Sequence, residues 1–370
     1  MDTDSSATEP RILEYIYPDP ESGSVTGRIV SACRDSSVAL QMVVPQASSL
    51  VLVADAQVLA HHETWMNRLT EGLLIPTHVI PFEPGEKSKS LHEVERVLST
   101  MAASHVDRDC VVAGLGGGVA TDMAGMVAAL WMRGVRLIQI PTSLLAMADA
   151  AVGGKCAVNT VAGRNLAGCM KFPEYILIDG RFLYTLPEVE VRGGLVEILK
   201  TGALAEARLL DMLAQTGGRP SHQQVLEMAV LAAGVKSCIV ERDPFDRGVR
   251  NLLNFGHTVG HAIESATGYT IRHGLAVAAG MRVESAVGVA MGLWDSESRG
   301  RLVSLLDLIG VDSTVRVDFD SVLSFMMLDK KNSGGRIRLS IPAGGLGGPV
   351  PDGYSPVSVP ARLIRDCWNG

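Results

Sequence analysis

The sequence predicts a two-domain α/β chain, with a parallel-sheet domain over residues 1–187 and a mainly helical domain over residues 188–370. Three observations predict it. Short β-branched runs alternate with helix-length segments in the first half, which indicates βαβ units around a sheet buried on both faces. Small or polar residues follow four of the five runs, where open α/β sheets bind ligands. Past residue 187 long helical patterns dominate. A length of 370 residues also favours two domains over one.

Taken in order, the first ten residues are polar and expected to be mobile, and no clear pattern emerges before residue 48. Strands are predicted at 50–54, 78–81, 110–113, 136–140 and 175–178, and helices at 91–103 and 122–132. In the second half helices are predicted at 190–213, 224–242, 249–267, 275–291, 298–309 and 318–328, with a two-stranded excursion near 336–341.

Composition narrows the function. Apolar residues are 47% and charged residues 20%, so a large core is expected and wholesale disorder is excluded. Acidic residues outnumber basic ones 40 to 33, which argues against a nucleic-acid partner. The apolar stretch 110–131 is interrupted by Asp122 and five glycines, so no membrane span is expected. The start MDTDSSATEPRI has no apolar leader, and six cysteines (33, 110, 156, 169, 238 and 367) lack CxxC spacing. Reduced thiols in a soluble cytoplasmic protein are the expectation.

Three motifs carry chemistry. In GLGGGVATD, 114–122, a strand meets glycines and then a helix, leaving backbone N–H groups aimed at an anion such as a pyrophosphate. The bland alternative is a tight βα turn with no ligand. In 149–155, DAAVGGK, paired glycines precede Lys155, and Arg164 and Asn165 follow ten residues later. That set suits a phosphate held by main chain and side chains together. The third motif is RNLLNFGHTVGHAIE. On a helix over 249–267, Arg250, Asn254, His257 and His261 would share one face amid apolar residues. A polar stripe on a buried helix must find partners or face a cavity. His273 lies further on, and Glu197 and Lys200 stand one turn apart in GGLVEILK. Two imidazoles plus one carboxylate would suit a zinc-type ion with an open position, and the spacing leaves open which two histidines ligate.

At these residues the sequence resembles the 3-dehydroquinate synthase family of sugar phosphate cyclases. The resemblance runs from about residue 55 to 331 through PGEKSKS, GGGVATDMAGMVAA, MRGVRLIQIPTSLLAMADAAVGGKCAVN, GRNLAG, LVEILKTG, NLLNFGHTVGHAIE and DKKNSGG. It implies an N-terminal NAD-binding domain and a C-terminal helical domain carrying zinc or cobalt. The implied metal ligands are Glu197, His257 and His273, with His261 left for the substrate. The implied NAD contacts are Asp55, Glu86, Lys89, Gly116, Gly117, Gly118, Val119, Asp122, Thr142, Ser143, Asp149, Lys155, Arg164, Phe182 and Thr185. Substrate phosphate would meet Lys155, Asn165, Asn254, His261 and one of Lys330 and Lys331, and substrate carboxylate would meet Lys236 and Arg250. Arg133 would reach the neighbouring subunit of a homodimer, and Asp149 and Lys200 belong to the implied catalytic set.

The implied reaction converts 3-deoxy-arabino-heptulosonate 7-phosphate to 3-dehydroquinate by transient oxidation, phosphate elimination, re-reduction and aldol closure. Gln57, Thr121, Arg164 and Leu275 depart from the usual family residues and mark a divergent branch. Related readings are a cyclase for the 5-amino-5-deoxy substrate or one of the 2-deoxy-scyllo-inosose type. A more remote one is a metal-dependent alcohol or glycerol dehydrogenase.

Overall fold

Residues 50–54 are completely buried, as an apolar run with no polar alternation requires of a central parallel strand. The computed structural model describes residues 11–19, 23–32, 36–44, 46–311, 317–328 and 336–368. The first ten residues, Cys33, Lys330 and Lys331 lie outside the described residues. The chain divides into two compact units, Met1–Pro187 and Glu188–Gly370.

The first unit contains, in order, β1 (Arg11–Asp19), β2 (Gly23–Ala32), α1 (Ser36–Val43), β3 (Leu50–Asp55), α2 (Ala56–His61), α3 (Glu63–Gly72) and β4 (Thr77–Phe82). It continues with α4 (Leu91–Ala103), β5 (Val111–Gly116), α5 (Gly118–Leu130), β6 (Arg136–Pro141), β7 (Lys155–Thr160), β8 (Gly163–Met170) and β9 (Tyr175–Asp179). Seven strands form one sheet in the order β1-β2-β9-β6-β5-β3-β4. All neighbours run parallel except β1 and β2. Val94, Val97 and Met101 of α4 and Met123 and Val127 of α5 cover one face against Val51, Val53 and Val112. Each such side chain contributes about 1.5–3 kcal/mol by leaving water.

Two features of this unit correct the sequence reading. Residues 11–19 and 23–32 pair as antiparallel β1 and β2, where Tyr15 and Tyr17 turn inward and Tyr17 stacks on Phe172 at 4.7 Å. Alternation of inward Tyr15 and Tyr17 with exposed Ile12 and Ile16 is the signal that apolar counting obscures. Lys155, Arg164 and Asn165 sit on an antiparallel hairpin, β7–β8, rather than in a loop.

The second unit contains α6 (Glu188–Ala205), α7 (Ala207–Gln215), α8 (His222–Arg242), a 3-10 segment at Val249–Asn254, α9 (His257–Ala266) and α10 (His273–Ala290). After these come α11 (Ser296–Ile309), α12 (Phe319–Leu328), the antiparallel pair β10 (Arg336–Leu339) and β11 (Val357–Pro360), and α13 (Ala361–Asp366). Among the described residues α8 has the length and apolarity to cross a membrane, and 61% of its apolar window is buried in the protein. The helix predicted over 190–213 is in fact two. Glu206 leaves the helical conformation and its carboxylate caps α7 by accepting the Arg208 N–H.

The helix predicted over 249–267 is also broken. Gly256 adopts φ +77 and α9 begins only at His257, so Arg250 and Asn254 stand on the preceding 3-10 segment and share no α-helical face with the histidines. The cause is packing. A Cβ on Gly256 would lie 2.5 Å from Met281 Cγ and 2.9 Å from the Val277 carbonyl. A left-handed glycine lets the chain turn sharply against α10.

Candidate active site

Within the first unit the sheet reverses its winding between β3 and β5, because β4 extends one side and β6 the other. A reversal of this kind opens a crevice beyond the strand ends. Asp55 ends β3 and Gly116 ends β5, and a Cβ on Gly116 (φ +151) would lie 3.1 Å from Asp55 Cβ and 2.7 Å from Ala120 Cβ. Gly117 then caps α5 with no side-chain acceptor, so the first N–H groups of the helix meet no side chain of the cap residue. The Asp55 carboxylate accepts the N–H groups of Gln57 and Val58, and burial raises its pKa. Thr142 N–H bonds the Gly116 carbonyl, placing Thr142 and Ser143 beside the glycine turn.

A polar network lines the same unit. Buried Lys89 pairs with Asp122 and donates to Asn165 Oδ1 at 2.6 Å. Arg164 pairs with Glu86 at 2.8 Å, and Asn159 donates to the Glu86 carboxylate at 2.7 Å. Burial raises the pKa of Asp122 despite Lys89. Lys155 and Asn165 are exposed, Asp149 lies in a short π-helical turn, and Phe182 is buried. Thr185 is contacted by His62 Nε2 at 2.8 Å, a partner the sequence reading did not name. Arg133 is exposed on a turn where Met132, Arg133 and Gly134 have φ of +45, +73 and +132.

Within the second unit three helices approach so closely that a Cβ would collide with main chain at Gly274 and Gly280. A Cβ on Gly274 of α10 would lie 2.4 Å from Gly193 Cα of α6, and one on Gly280 would lie 2.0 Å from the Gly256 carbonyl. One on Gly260 of α9 would lie 3.0 Å from the Ala276 carbonyl of α10. Each contact stands beside a polar side chain. Gly193 is one turn before Glu197, Gly274 adjoins His273, Gly256 adjoins His257, and Gly260 adjoins His261.

The result is a tight cluster. The donor atoms of His257, His261 and His273 lie within 4.8 Å of one another. Glu197 Oε1 stands 3.7 Å from His257 Nε2 and 3.6 Å from His273 Nε2. Those separations are too long for hydrogen bonds. They lie at or within about 0.1 Å above the roughly 3.3–3.6 Å between ligand atoms that each stand about 2.0–2.2 Å from one tetrahedral ion. Both rings have Nδ1 engaged: His257 with the Phe255 carbonyl at 3.2 Å, and His273 with the Glu264 carboxylate at 3.2 Å. Such bonds fix the tautomer and leave Nε2 for a metal. Glu264, absent from the sequence reading, is legible only once the fold brings it to His273 Nδ1, since a Glu in GHAIE otherwise reads as helix surface.

The electrostatics are uneven across the cluster. Glu197 is buried, its Oε2 pairs with the equally buried Lys200 at 2.7 Å, and Oε1 has no hydrogen-bond donor. Burial works against the Glu197 charge, but Lys200, His257 and His273 hold its pKa well below the usual range. Burial, aided by Lys200, pushes His257 far down, so its ring is neutral. Burial opposes charge on His273 too, yet Glu197 and Glu264 raise it to about 10, so its ring holds a proton that a bound cation would have to displace. An uncompensated acceptor facing two imidazoles fits a divalent cation.

Lys236 and Arg250 are both buried in this unit; Arg250 donates to the Pro244 carbonyl at 2.7 Å, and its N–H is held by Asp243. His261 is exposed and Asn254 half-buried.

Comparison with known proteins supplies the family. Residues 79–193 match the 3-dehydroquinate synthase N-terminal family profile, and residues 194–332 match the C-terminal one. The 3-dehydroquinate synthase of Gloeobacter violaceus is 36% identical over 85% of this chain and 87% of its own length. That of Thermosynechococcus vestitus is 36% identical over 87% and 88% respectively. Among solved structures, 2-epi-5-epi-valiolone synthase from Streptomyces hygroscopicus, with NAD+ and Zn2+ bound, superposes with a TM-score of 0.80 at 26% identity, covering 93% of this chain and 96% of that one. A 2-deoxy-scyllo-inosose synthase complexed with carbaglucose-6-phosphate, NAD+ and Co2+ gives 0.84 at 23%, covering 97% and 99%, and an iron-containing alcohol dehydrogenase gives 0.65 at 15%, covering 96% and 98%. Two successive domain profiles and sustained identity to full-length relatives agree with the helices that gather Glu197 and the histidines: the chain is an enzyme of the 3-dehydroquinate synthase family.

Proposed function

We propose that the chain converts 3-deoxy-arabino-heptulosonate 7-phosphate to 3-dehydroquinate and phosphate, using NAD and one divalent ion, zinc or cobalt. The observation that supports this most is Glu197 Oε1, buried without a donor and 3.6–3.7 Å from two imidazole nitrogens. Glu197, His257 and His273 would hold the ion. When bound, the ion supplies Lewis-acid polarisation of an alcohol, and NAD supplies a reversible hydride acceptor.

The remaining roles belong to the chain's own groups. Gly116, Gly117, Gly118 and Val119 present backbone N–H groups to a dinucleotide pyrophosphate, with Asp122, Thr142 and Ser143 beside them. Asp55, Glu86, Lys89, Asp149, Arg164, Phe182 and Thr185 complete the dinucleotide site. Lys155, Asn165, Asn254 and His261 receive the substrate phosphate and steady its charge as it leaves by β-elimination. Lys330 or Lys331 is proposed to assist. Lys200 holds the Glu197 carboxylate in place. Lys236 and Arg250 orient the substrate carboxylate, a task for which buried cations are suited. Arg133 would serve the partner subunit's site in a homodimer; its left-handed turn is a strain that functional positions tolerate. Free thiols at Cys110, Cys156, Cys169, Cys238 and Cys367 are consistent with the cytoplasm.

The test is an assay of purified protein with several sugar phosphates, following inorganic phosphate and product mass. Phosphate release from the heptulosonate without net NADH supports the proposal. Turnover of the 5-amino analogue or of glucose 6-phosphate would reassign the substrate, and net NADH from glycerol would replace the cyclase reading by a dehydrogenase. Lys155→Ala and His261→Ala, both at exposed side chains, should cut phosphate release about a hundredfold or more with the thermal midpoint preserved; wild-type rates in both would misplace the phosphate site.

A further inference from the structure

Glu284 lies about three turns into α10 and is completely buried, with 0% exposure. A carboxyl at that depth is costly unless both oxygens find donors. They do. Oε2 accepts the Gly256 N–H at 2.8 Å and Oε1 accepts the Val259 N–H at 3.3 Å. These are the N–H groups that a helix start leaves unsatisfied. Gly256 caps α9 and has no side chain with which to satisfy them. Helix starts are commonly completed by a Ser, Thr or Asp of their own chain segment. Here the acceptor arrives from a different helix.

The origin of that acceptor has a geometric consequence. His273 is the first residue of α10 and His257 the first residue of α9. A local cap would stabilise α9 equally well but would say nothing about where α9 starts relative to α10. Glu284 does both. Gly280, one turn earlier on α10, stands where a Cβ would be 2.0 Å from the Gly256 carbonyl, so close packing and the two hydrogen bonds grip the same point.

We propose that Glu284 is a positioning residue of the metal centre, setting the separation of His257 and His273 and through it the affinity for the divalent ion. It contacts neither of those side chains in the hydrogen-bond pattern and acts through the main chain of α9. The proposal rests on the reading of the cluster as a metal site.

The experiment uses the full chain with Glu284→Gln and Glu284→Ala. Asp295→Ala serves as a control, since Asp295 caps α11 in the ordinary way by accepting the Ser298 N–H. Zn2+ affinity is measured by competition with a chromophoric chelator, the visible absorption of the Co2+-loaded protein is recorded, and the thermal midpoint is followed. Zn2+ affinity should fall about 10- to 100-fold in Glu284→Ala, as for other residues that orient ligands, and less in Glu284→Gln, which keeps one acceptor. The Co2+ bands should shift in both. Asp295→Ala should lower the midpoint without changing either metal readout. Zn2+ affinity within twofold of wild type together with an unchanged Co2+ spectrum, in Glu284→Ala or, if that variant does not fold, in Glu284→Gln, overturns the proposal. Failure of the wild-type protein to bind Zn2+ would instead overturn the metal site itself.

Discussion

Asp179 at the end of β9 and Glu197 in the middle of α6 are carboxylates with the same side-chain exposure, 1%. In both the charged form is favoured against burial. Their surroundings differ. Asp179 Oδ1 accepts the Arg181 N–H, Oδ2 accepts the Ser36 N–H, and the Arg181 guanidinium closes over both. Every lone pair has a protein use, and the product is a tied chain: α1, β9 and the turn after it are held together. Glu197 has one oxygen on Lys200 and the other facing two imidazole nitrogens beyond hydrogen-bond reach. A carboxylate that the protein fully satisfies stabilises a fold; one that it half satisfies is what the proposed metal site requires.

The largest expected effect follows from Glu197. Glu197→Gln keeps the shape but removes the charge that pairs with buried Lys200, so the thermal midpoint should fall as well, and rates are compared on folded protein. Phosphate release should fall about a thousandfold, the order expected when several kcal/mol of metal polarisation is removed. Steady-state phosphate assays decide; a residual rate above a tenth of wild type would make Glu197 another Asp179.

A smaller effect separates the glycines that build each region. Gly280→Ala should destabilise the protein by about 3 kcal/mol and weaken metal retention, because its Cβ would be driven into the Gly256 carbonyl at 2.0 Å. A Cβ on Gly118 meets only Ala150 Cβ, at 3.5 Å. Gly118→Ala should therefore melt like wild type yet bind NAD about tenfold more weakly, since a methyl group intrudes where backbone must approach the ligand. Calorimetry and NAD titration would show both; equal NAD affinity would remove the dinucleotide from the α5 start.

These glycines also show why the two regions were unequally legible. The parallel strands and the glycine turn announce themselves in sequence, because an uninterrupted apolar run ending in small residues has few other uses. Glu197, His257 and His273 were visible as residue types, and their convergence was implied by the family resemblance but not by spacing or periodicity. It depends on Gly256, Gly260, Gly274 and Gly280, each of which reads in isolation as a helix-weakening residue. Helical periodicity across 249–267 misled for the same reason: Gly256 breaks the helix through a contact with α10 that lies far along the chain. The β1–β2 hairpin was missed because only every second residue is inward, and Glu264 and Glu284 because their partners come from tertiary structure.

The smallest effect concerns Asp179. Its folded pKa is depressed, so near the ordinary carboxylate value of about 3.9 the unfolded chain binds more protons, and stability rises with pH there. The contribution is fully present above that value and is lost as pH falls through the lower folded one. Asp179→Ala should cost about 2 kcal/mol at pH 7 and flatten the acid limb of stability against pH, read by denaturant titration from pH 3 to pH 7. An acid limb as steep as wild type would show that Asp179 is not the group being protonated.

The central claim is that α6, α9 and α10 bring one carboxylate oxygen and two imidazole nitrogens onto a single ion. Anomalous diffraction at the zinc edge from crystals grown with Zn2+ tests it most directly. The account predicts one peak about 2.0–2.2 Å from Glu197 Oε1, His257 Nε2 and His273 Nε2. A peak held by His261 with Glu197 outside bonding distance, or no peak within the cluster, would contradict it.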